Sequence, residues 1–232
     1  MSVDLNQLIK LGVIDSLENE VVFEEGSIKK GDGSLEPYSI SYGWNLIKAL
    51  ACDKDWKQYR VRILSYLKEE CDEARRSELL SKIQFEDYHW EWFGKSLRHR
   101  KEEYKWFFLS SETSVEAACL IYFPKPSALD KSDIFYVEFI AVAPWNRFSP
   151  LEDKRFSGIG TKLLRSIIKY LTESLGYQYG FCLHSLPQAQ GFYEHIGMIH
   201  FEDLDKIEDP DCDPLYYYEI DHLNSMKFVG VA

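Results

Sequence analysis

A glycine pair set between an apolar strand and an amphipathic helix constrains this chain more than any other feature. Residues 134–142 read as one long apolar strand. Beyond them Ile159, Leu163, Leu164, Ile167, Ile168, Leu171 and Leu175 recur at helical spacing, and Gly176 is a natural C-cap. Between strand and helix stands Arg155-Phe156-Ser157-Gly158-Ile159-Gly160. Glycines at a helix entrance leave backbone N–H groups bare, and the helix dipole adds partial positive charge there. With an arginine beside it, such an entrance suits phosphate.

The 232 residues are enough for one large domain, or a domain with an elaboration. The net charge of −11 argues against nucleic acid and anionic membrane, which need a basic surface, and suits a cationic substrate. The five cysteines, Cys52, Cys71, Cys119, Cys182 and Cys212, are odd in number and scattered. They form no C-x-x-C pair, so neither a disulfide framework nor a metal site is expected. The opening Met1-Ser2-Val3-Asp4 lacks a basic, then apolar, leader, and no apolar run is long enough to span a bilayer. The expectation is a reduced cytoplasmic protein.

Along the chain, Val21-Val22-Phe23 and Tyr38-Ser39-Ile40 flank Gly31-Asp32-Gly33 as a hairpin. Trp56, Tyr59, Ile63, Tyr66, Leu67 and Cys71 predict a helix over 55–71, and a second is expected over 72–82. Phe85, Tyr88, Trp90, Trp92 and Phe93 form an aromatic cluster, placed on or near a helix ending around Gly94. It suits core packing or a pocket wall. Strands are expected over 106–109, 117–123, 134–142, 179–183, 198–201 and 215–220, and helices after Gly158 and Pro187. That order predicts an α+β fold with a mixed, mostly antiparallel sheet flanked by helices. Residues 105–232 read as the core, and residues 1–104 as a mainly helical elaboration.

The nucleotide patterns fail. No G-x-x-x-x-G-K-[ST] occurs, and Leu163 stands where a dinucleotide fingerprint needs its third glycine. No G-x-S-x-G is present either. The segment does resemble another pattern. Arg155-x-x-Gly158-x-Gly160, after a strand ending Ala141-Val142-Ala143-Pro144, is similar to the acetyl-CoA-binding motif of the GNAT superfamily of N-acetyltransferases. A second stretch agrees: Leu183-His184-Ser185-Leu186-Pro187-Gln188-Ala189-Gln190-Gly191-Phe192-Tyr193-Glu194-His195-Ile196-Gly197-Met198 looks like that family's later strand–helix segment. The resemblance covers about half the chain, from Trp106 to Ile220.

The resemblance implies acetyl-CoA as cosubstrate and a central strand that splays from its parallel neighbour. Backbone groups around Ile140, Ala141 and Val142 would pair with the pantetheine amides as an added strand does. Amides of Phe156, Ser157, Gly158, Ile159, Gly160 and Thr161 would hold the pyrophosphate, with Arg155 nearby. Arg147 has the family's usual spacing from the strand proline, but Arg155 has the right spacing to the glycines. Leu186 stands where many members carry a cofactor-binding asparagine, a contact that Ser185 or Gln188 can supply instead.

Amine acetylation needs a base for the amine and a proton for the departing thiolate. Tyr193 matches the family's frequent acid position, though it also suits packing of its helix. Glu138 shares strand parity with Ile140 and Val142 and is the first candidate base. His184 is the second, and removal of the proton through ordered water is a third route. Residues 202–213 carry seven acids and one base, a solvated loop or an attractor of a cationic amine. The reading is an N-acetyltransferase acting directly on a primary amine of a cationic acceptor, small molecule or protein, without metal and with room for a homodimer. The alternative is a non-catalytic CoA-binding or interaction module on the same fold.

Overall fold

The computed structural model describes residues 5–12, 15–207 and 213–231. The terminal residues Met1 to Asp4, and Cys212 with most of the acid-rich loop's second half, lie outside the described residues.

A short helix, α1 (Leu5–Lys10), precedes a hairpin of β1 (Val21–Lys29) and β2 (Leu35–Tyr42). Next comes α2 (Leu46–Ala51), running through a π-helical turn at Cys52–Trp56 into α3 (Lys57–Glu69). Helices α4 (Glu73–Leu80) and α5 (Trp92–Arg98) follow. Three strands come next, β3 (Tyr104–Ser111), β4 (Val115–Pro126) and β5 (Asp133–Val142). The remainder is α6 (Ile159–Glu173), β6 (Phe181–Ser185), α7 (Gln190–His195), β7 (Ile199–His200), β8 (Tyr216–Ile220) and α8 (His222–Val229).

All eight strands join one sheet in the order β1-β2-β3-β4-β5-β6-β8-β7. Every pairing is antiparallel except β5 with β6. The expected mixed, mostly antiparallel α+β architecture is therefore what the chain adopts. Two strands of the first hundred residues extend the sheet, so that half is less purely helical than its spacing predicts.

Each face of the sheet is covered by a different part of the chain. The stripe Ile159, Leu163, Leu164, Ile167, Ile168 and Leu171 of α6 is buried against Phe107, Cys119, Phe135 and Val137. The opposite face carries Trp106, Phe108, Ala118 and Leu120 beneath Ala49, Cys52, Trp56 and Trp92. There Trp92 sits at the centre of three edge-to-face contacts, with Trp56 at 5.8 Å, Trp90 at 5.9 Å and Trp106 at 6.2 Å. The buried Cys52, Cys71, Cys119 and Cys182 are all free thiols.

Several boundaries differ from the sequence expectation. The first long helix starts at Leu46, because the Asn45 side chain accepts the Lys48 N–H and caps it. Helix α5 starts at Trp92 and runs through Gly94 instead of ending there. Its first amides are satisfied from a distance: Asp53 accepts from Trp92 N at 2.7 Å and from Phe93 N at 2.9 Å. Burial raises the Asp53 pKa, those two amides oppose the rise, and the nearby Glu91 adds to it. Helix α8 was not expected at all, although Asp221 caps it by accepting the Asn224 N–H and Gly230 ends it at φ 78°.

Trp92 is 2% exposed and bridges the helices to the sheet. Trp92→Ala is expected to cost about 3–5 kcal/mol by leaving a cavity. Chemical denaturation should show the lower midpoint with an unchanged slope.

Candidate functional site

The site begins with an irregularity in β5. Leu120 of β4 faces Phe139, but the next residue, Ile121, faces Val137, so Glu138 is an extra residue in a β-bulge. Before the bulge Phe135 and Val137 face α6; after it Ile140 and Val142 do, while Phe139 and Ala141 turn to the tryptophan face. The bulge corrects the parity expected for Glu138, which does not share a face with Ile140 and Val142. It lies on the side of Tyr104, whose phenol is raised in pKa by burial and then by the Glu138 charge.

The parallel pairing of β5 with β6 runs from Phe135↔Phe181 to Val137↔Leu183 and ends there. Beyond the bulge the two strands part. Ala143 N–H donates to Glu116 O at 2.8 Å on the β4 side. By antiparallel alternation, the N–H and C=O of Ile140 and Val142 then face the open edge.

A cleft of about 450 Å³ fills this gap. On one side it is lined by Gly158, Ile159, Gly160, Thr161, Gln188 and Tyr193, and on the other by Gln84, Asp87 and Trp90. Gly158 caps α6 in the left-handed conformation at φ 72°, and no side chain caps the helix. The first intrahelical bond is Lys162 N to Gly158 O, which leaves the amides of Ile159, Gly160 and Thr161 as open donors. A Cβ on Gly160 would lie 3.4 Å from Val142 Cγ1, so a longer side chain there would run into the space between strand and helix.

The other expected cofactor contacts divide. Gln188 and Leu186 line the cleft, whereas the Ser185 hydroxyl is turned onto the Leu186 carbonyl at 2.8 Å. Phe156 is 1% exposed in the core, and its N–H donates to Asn146 Oδ1 at 3.0 Å. Ser157 is exposed beside the loop. Arg155 does not lie over the glycines as expected. Its guanidinium reaches Glu36 at 2.5 Å, Ser114 at 2.8 Å and Glu116 at 3.1 Å, and it lines a separate cavity of about 800 Å³. Two buried carboxylates outcompete a solvent-facing loop for one cation.

Arg147 is the arginine that lines the cleft, and it is fully engaged. It forks onto Asp87 at 2.8 and 2.6 Å and donates from Nε and Nη2 to the Val142 carbonyl at 3.1 and 2.8 Å. Burial alone would raise the Asp87 pKa, but Arg147 and Arg60 outweigh it and hold the carboxylate below its usual value. The Pro144-to-Arg147 spacing was the sequence signal for this residue. Nothing local announced Asp87, sixty positions away. Lys154, also unforeseen, lines both cavities.

Tyr193 is 7% exposed and borders the cleft, and burial raises its pKa. Its ring packs on Phe192 and Tyr218. His184 is held from both sides. Its Nε2 donates to the Leu204 carbonyl at 3.0 Å, which can only accept, so Nδ1 accepts from Tyr136 Oη at 2.7 Å. Both ring nitrogens are committed, outside the cleft. Of the aromatic cluster, Trp92 is core, Phe85 packs beside α3, Tyr88 is exposed and Trp90 lines the cleft with its ring edge-to-face on Phe139 at 5.0 Å. Among the described residues no cluster of metal-ligating side chains is present. No helix among them is long and apolar enough to cross a membrane.

His184 is half-buried, and burial lowers its pKa. The unfolded chain takes up its proton near a pKa of about 6.5, the folded chain only at lower pH. The contribution of neutral His184 is therefore complete above that pH and lost as the pH falls below it. Denaturation between pH 7 and 5 should show a steeper loss of stability for the native chain than for His184→Gln.

No known family profile matches the sequence, and no curated protein matches it. Solved structures do. An N-acetyltransferase of Campylobacter jejuni, PseH, in complex with acetyl coenzyme A, aligns at 18% identity over 55% of this chain and 78% of its own, with a TM-score of 0.35. Escherichia coli ElaA aligns at 15% identity over 52% and 70%, with a TM-score of 0.37. An uncharacterized protein of Bacillus halodurans aligns at 8% identity over 88% and 94%, with a TM-score of 0.46. The parallel pair that splays and the glycine-led helix at the splay are what the sequence resemblance implies.

Proposed function

We propose that this protein is an acetyl-CoA-dependent N-acetyltransferase that moves the acetyl group directly to a primary amine. The observation that carries this reading is the cleft through the sheet. It joins an uncapped helix N-terminus, an open strand edge and a buried tyrosine in one groove. Residues 105–232 are read as the cofactor-binding core, and residues 1–104 as an elaboration that covers the far face and supplies Trp90 to the cleft.

On this reading the amides of Ile159, Gly160 and Thr161 receive the pyrophosphate, helped by the α6 dipole and by Lys154. The Val142 N–H and the Ile140 backbone groups pair with the pantetheine amides. The amine enters from the Trp90 side, where Glu138 also lies. Its nitrogen forms a bond to the thioester carbon, and the oxyanion is held by a backbone N–H of the splayed strand. The C–S bond then breaks, Tyr193 gives its proton to the sulfur, and the ammonium proton leaves to Glu138 or to water. Burial raises the Tyr193 pKa and so keeps the phenol protonated before the thiolate forms. Glu202, Asp203 and Asp205, in the described part of the acidic loop, would favour a cationic acceptor.

Calorimetry should detect acetyl-CoA binding to the native chain and none to Gly160→Leu, whose side chain would fill the groove at Val142. A thiol-release screen across amine classes should then find turnover that falls by about 10²-fold in Tyr193→Phe. Absence of acetyl-CoA binding to the native chain would refute the reading. Binding without turnover on any amine would instead favour a CoA-binding module.

A further inference from the structure

We infer that Arg147 is a positioning residue: it is the wedge that keeps β5 parted from β6, and it sets which backbone groups of β5 a ligand strand can use. This deepens the function proposed above and, for its ligand arm, rests on it.

Where two paired strands part, the inner edges are left with unsatisfied donors and acceptors. An orphaned carbonyl in a half-closed cleft is costly, and re-pairing with the neighbouring strand is the obvious remedy. Here that remedy is blocked at Val142. Its carbonyl, on the open edge, accepts two hydrogen bonds from one guanidinium. That guanidinium cannot swing away, because Nη1 and the same Nη2 fork onto Asp87, which is 4% exposed. Asp87 in turn lies 3.0 Å from Nη2 of Arg60, a residue of α3 that is itself buried. The Arg60 Nε and Nη2 find no acceptor in hydrogen-bond geometry, so two buried cations share one carboxylate. Charge balance thus ties Asp87 to both arginines and Arg147 to the strand.

Two consequences follow. The helical elaboration, through Arg60 and Asp87, holds the end of β5 in its splayed position. A ligand strand laid on that edge finds the Val142 carbonyl already taken, so it must accept from the Val142 N–H and use the backbone groups of Ile140. Its register is thereby restricted to one setting. Lysine could not replace Arg147, because one ammonium cannot fork onto a carboxylate and also reach a carbonyl on its far side.

Hydrogen–deuterium exchange on the ligand-free, full-length chain tests this without assuming any ligand. In Arg147→Ala and Arg147→Lys the β4-facing amides of Ala141 and Ala143 should exchange about tenfold faster, with the amides of α6 unchanged. Unchanged exchange at those two amides, or a rise spread over the whole sheet, would overturn the inference. If neither variant folds, Asp87→Asn decides: it keeps the bonds to Val142 but loosens the fork, so a smaller rise at the same amides is expected and no rise overturns the wedge. In the ligand arm, Arg147→Ala should weaken CoA binding by about tenfold. It should leave binding of the nucleotide half, which lacks pantetheine, unchanged. Equal loss for both would overturn the register claim. A native chain that binds no CoA, with exchange behaving as stated, would sink the acetyltransferase reading and leave the wedge standing.

Discussion

The loop architecture around the cleft depends on one buried carboxylate. Glu116 is fully inaccessible at the start of β4, where an unpaired charge would be ruinous. It is instead saturated. One oxygen accepts from Ser111 and Ser114 at 2.8 and 2.7 Å, the other from Trp145 Nε1 and Asn146 Nδ2 at 2.7 Å each. Arg155 completes the shell at 3.1 Å. Around this anchor the segment after β5 is wound shut, with Asn146 also holding the Phe156 N–H and the Trp145 carbonyl accepting from Arg155 N. The unusual stretch between Pro144 and the glycines is thus pinned at both ends around a buried carboxylate, while Phe148 and residues 152–154 between them stay exposed. It fixes where the glycine loop begins, and it is also why Arg155 and the Phe156 amide are unavailable to a ligand there.

The bulge at Glu138 has an equally wide effect from a single inserted residue. It reverses which side chains of β5 face α6, and the pairing with β6 ends at the residue before it. An extra residue increases local twist and bends the strand, so bulge and splay share one cause. The cleft follows, and so does the division of labour between its walls. The α6 side presents backbone amides and a tyrosine. The other side presents Trp90 and residues near Glu138 from elements folded on separately.

Features set by local periodicity were legible in the sequence. The stripe of α6, the apolar run of β5 and the hairpin around Gly31–Gly33 need only neighbouring residues to declare them. Features set by distant partners were not. Helix α5 begins where Asp53 meets it, thirty-nine positions earlier in the chain. Strand parity placed Glu138 with Ile140 and Val142 because a bulge leaves no mark in a run of apolar residues. The two arginines show the same limit at the site. Both sit in an Arg-Phe-Ser context, so motif spacing alone could not tell which faces the cleft. What separates them is the reach of Glu36 and Glu116 to one and of Asp87 to the other. Asp87 lies in a stretch legible only as an aromatic cluster.

If the α6 entrance takes a polyanion, as proposed, an acidic chain must supply the attraction locally. At physiological ionic strength charges are screened beyond about 8 Å, so the net charge of −11 acts on a bound phosphate mainly through its immediate neighbours. At the α6 entrance those neighbours are three open amides, a helix dipole and Lys154, with no carboxylate lining the same stretch of loop from Gly158 to Thr161. Asp87 lines the same cleft but is neutralised by Arg147, Glu116 is neutralised by Arg155, Glu152 and Asp153 line the separate cavity, and Glu202, Asp203 and Asp205 lie beyond β7. Overall acidity and an anion-binding groove are therefore compatible, because the field at the groove is set by backbone dipoles that composition does not count.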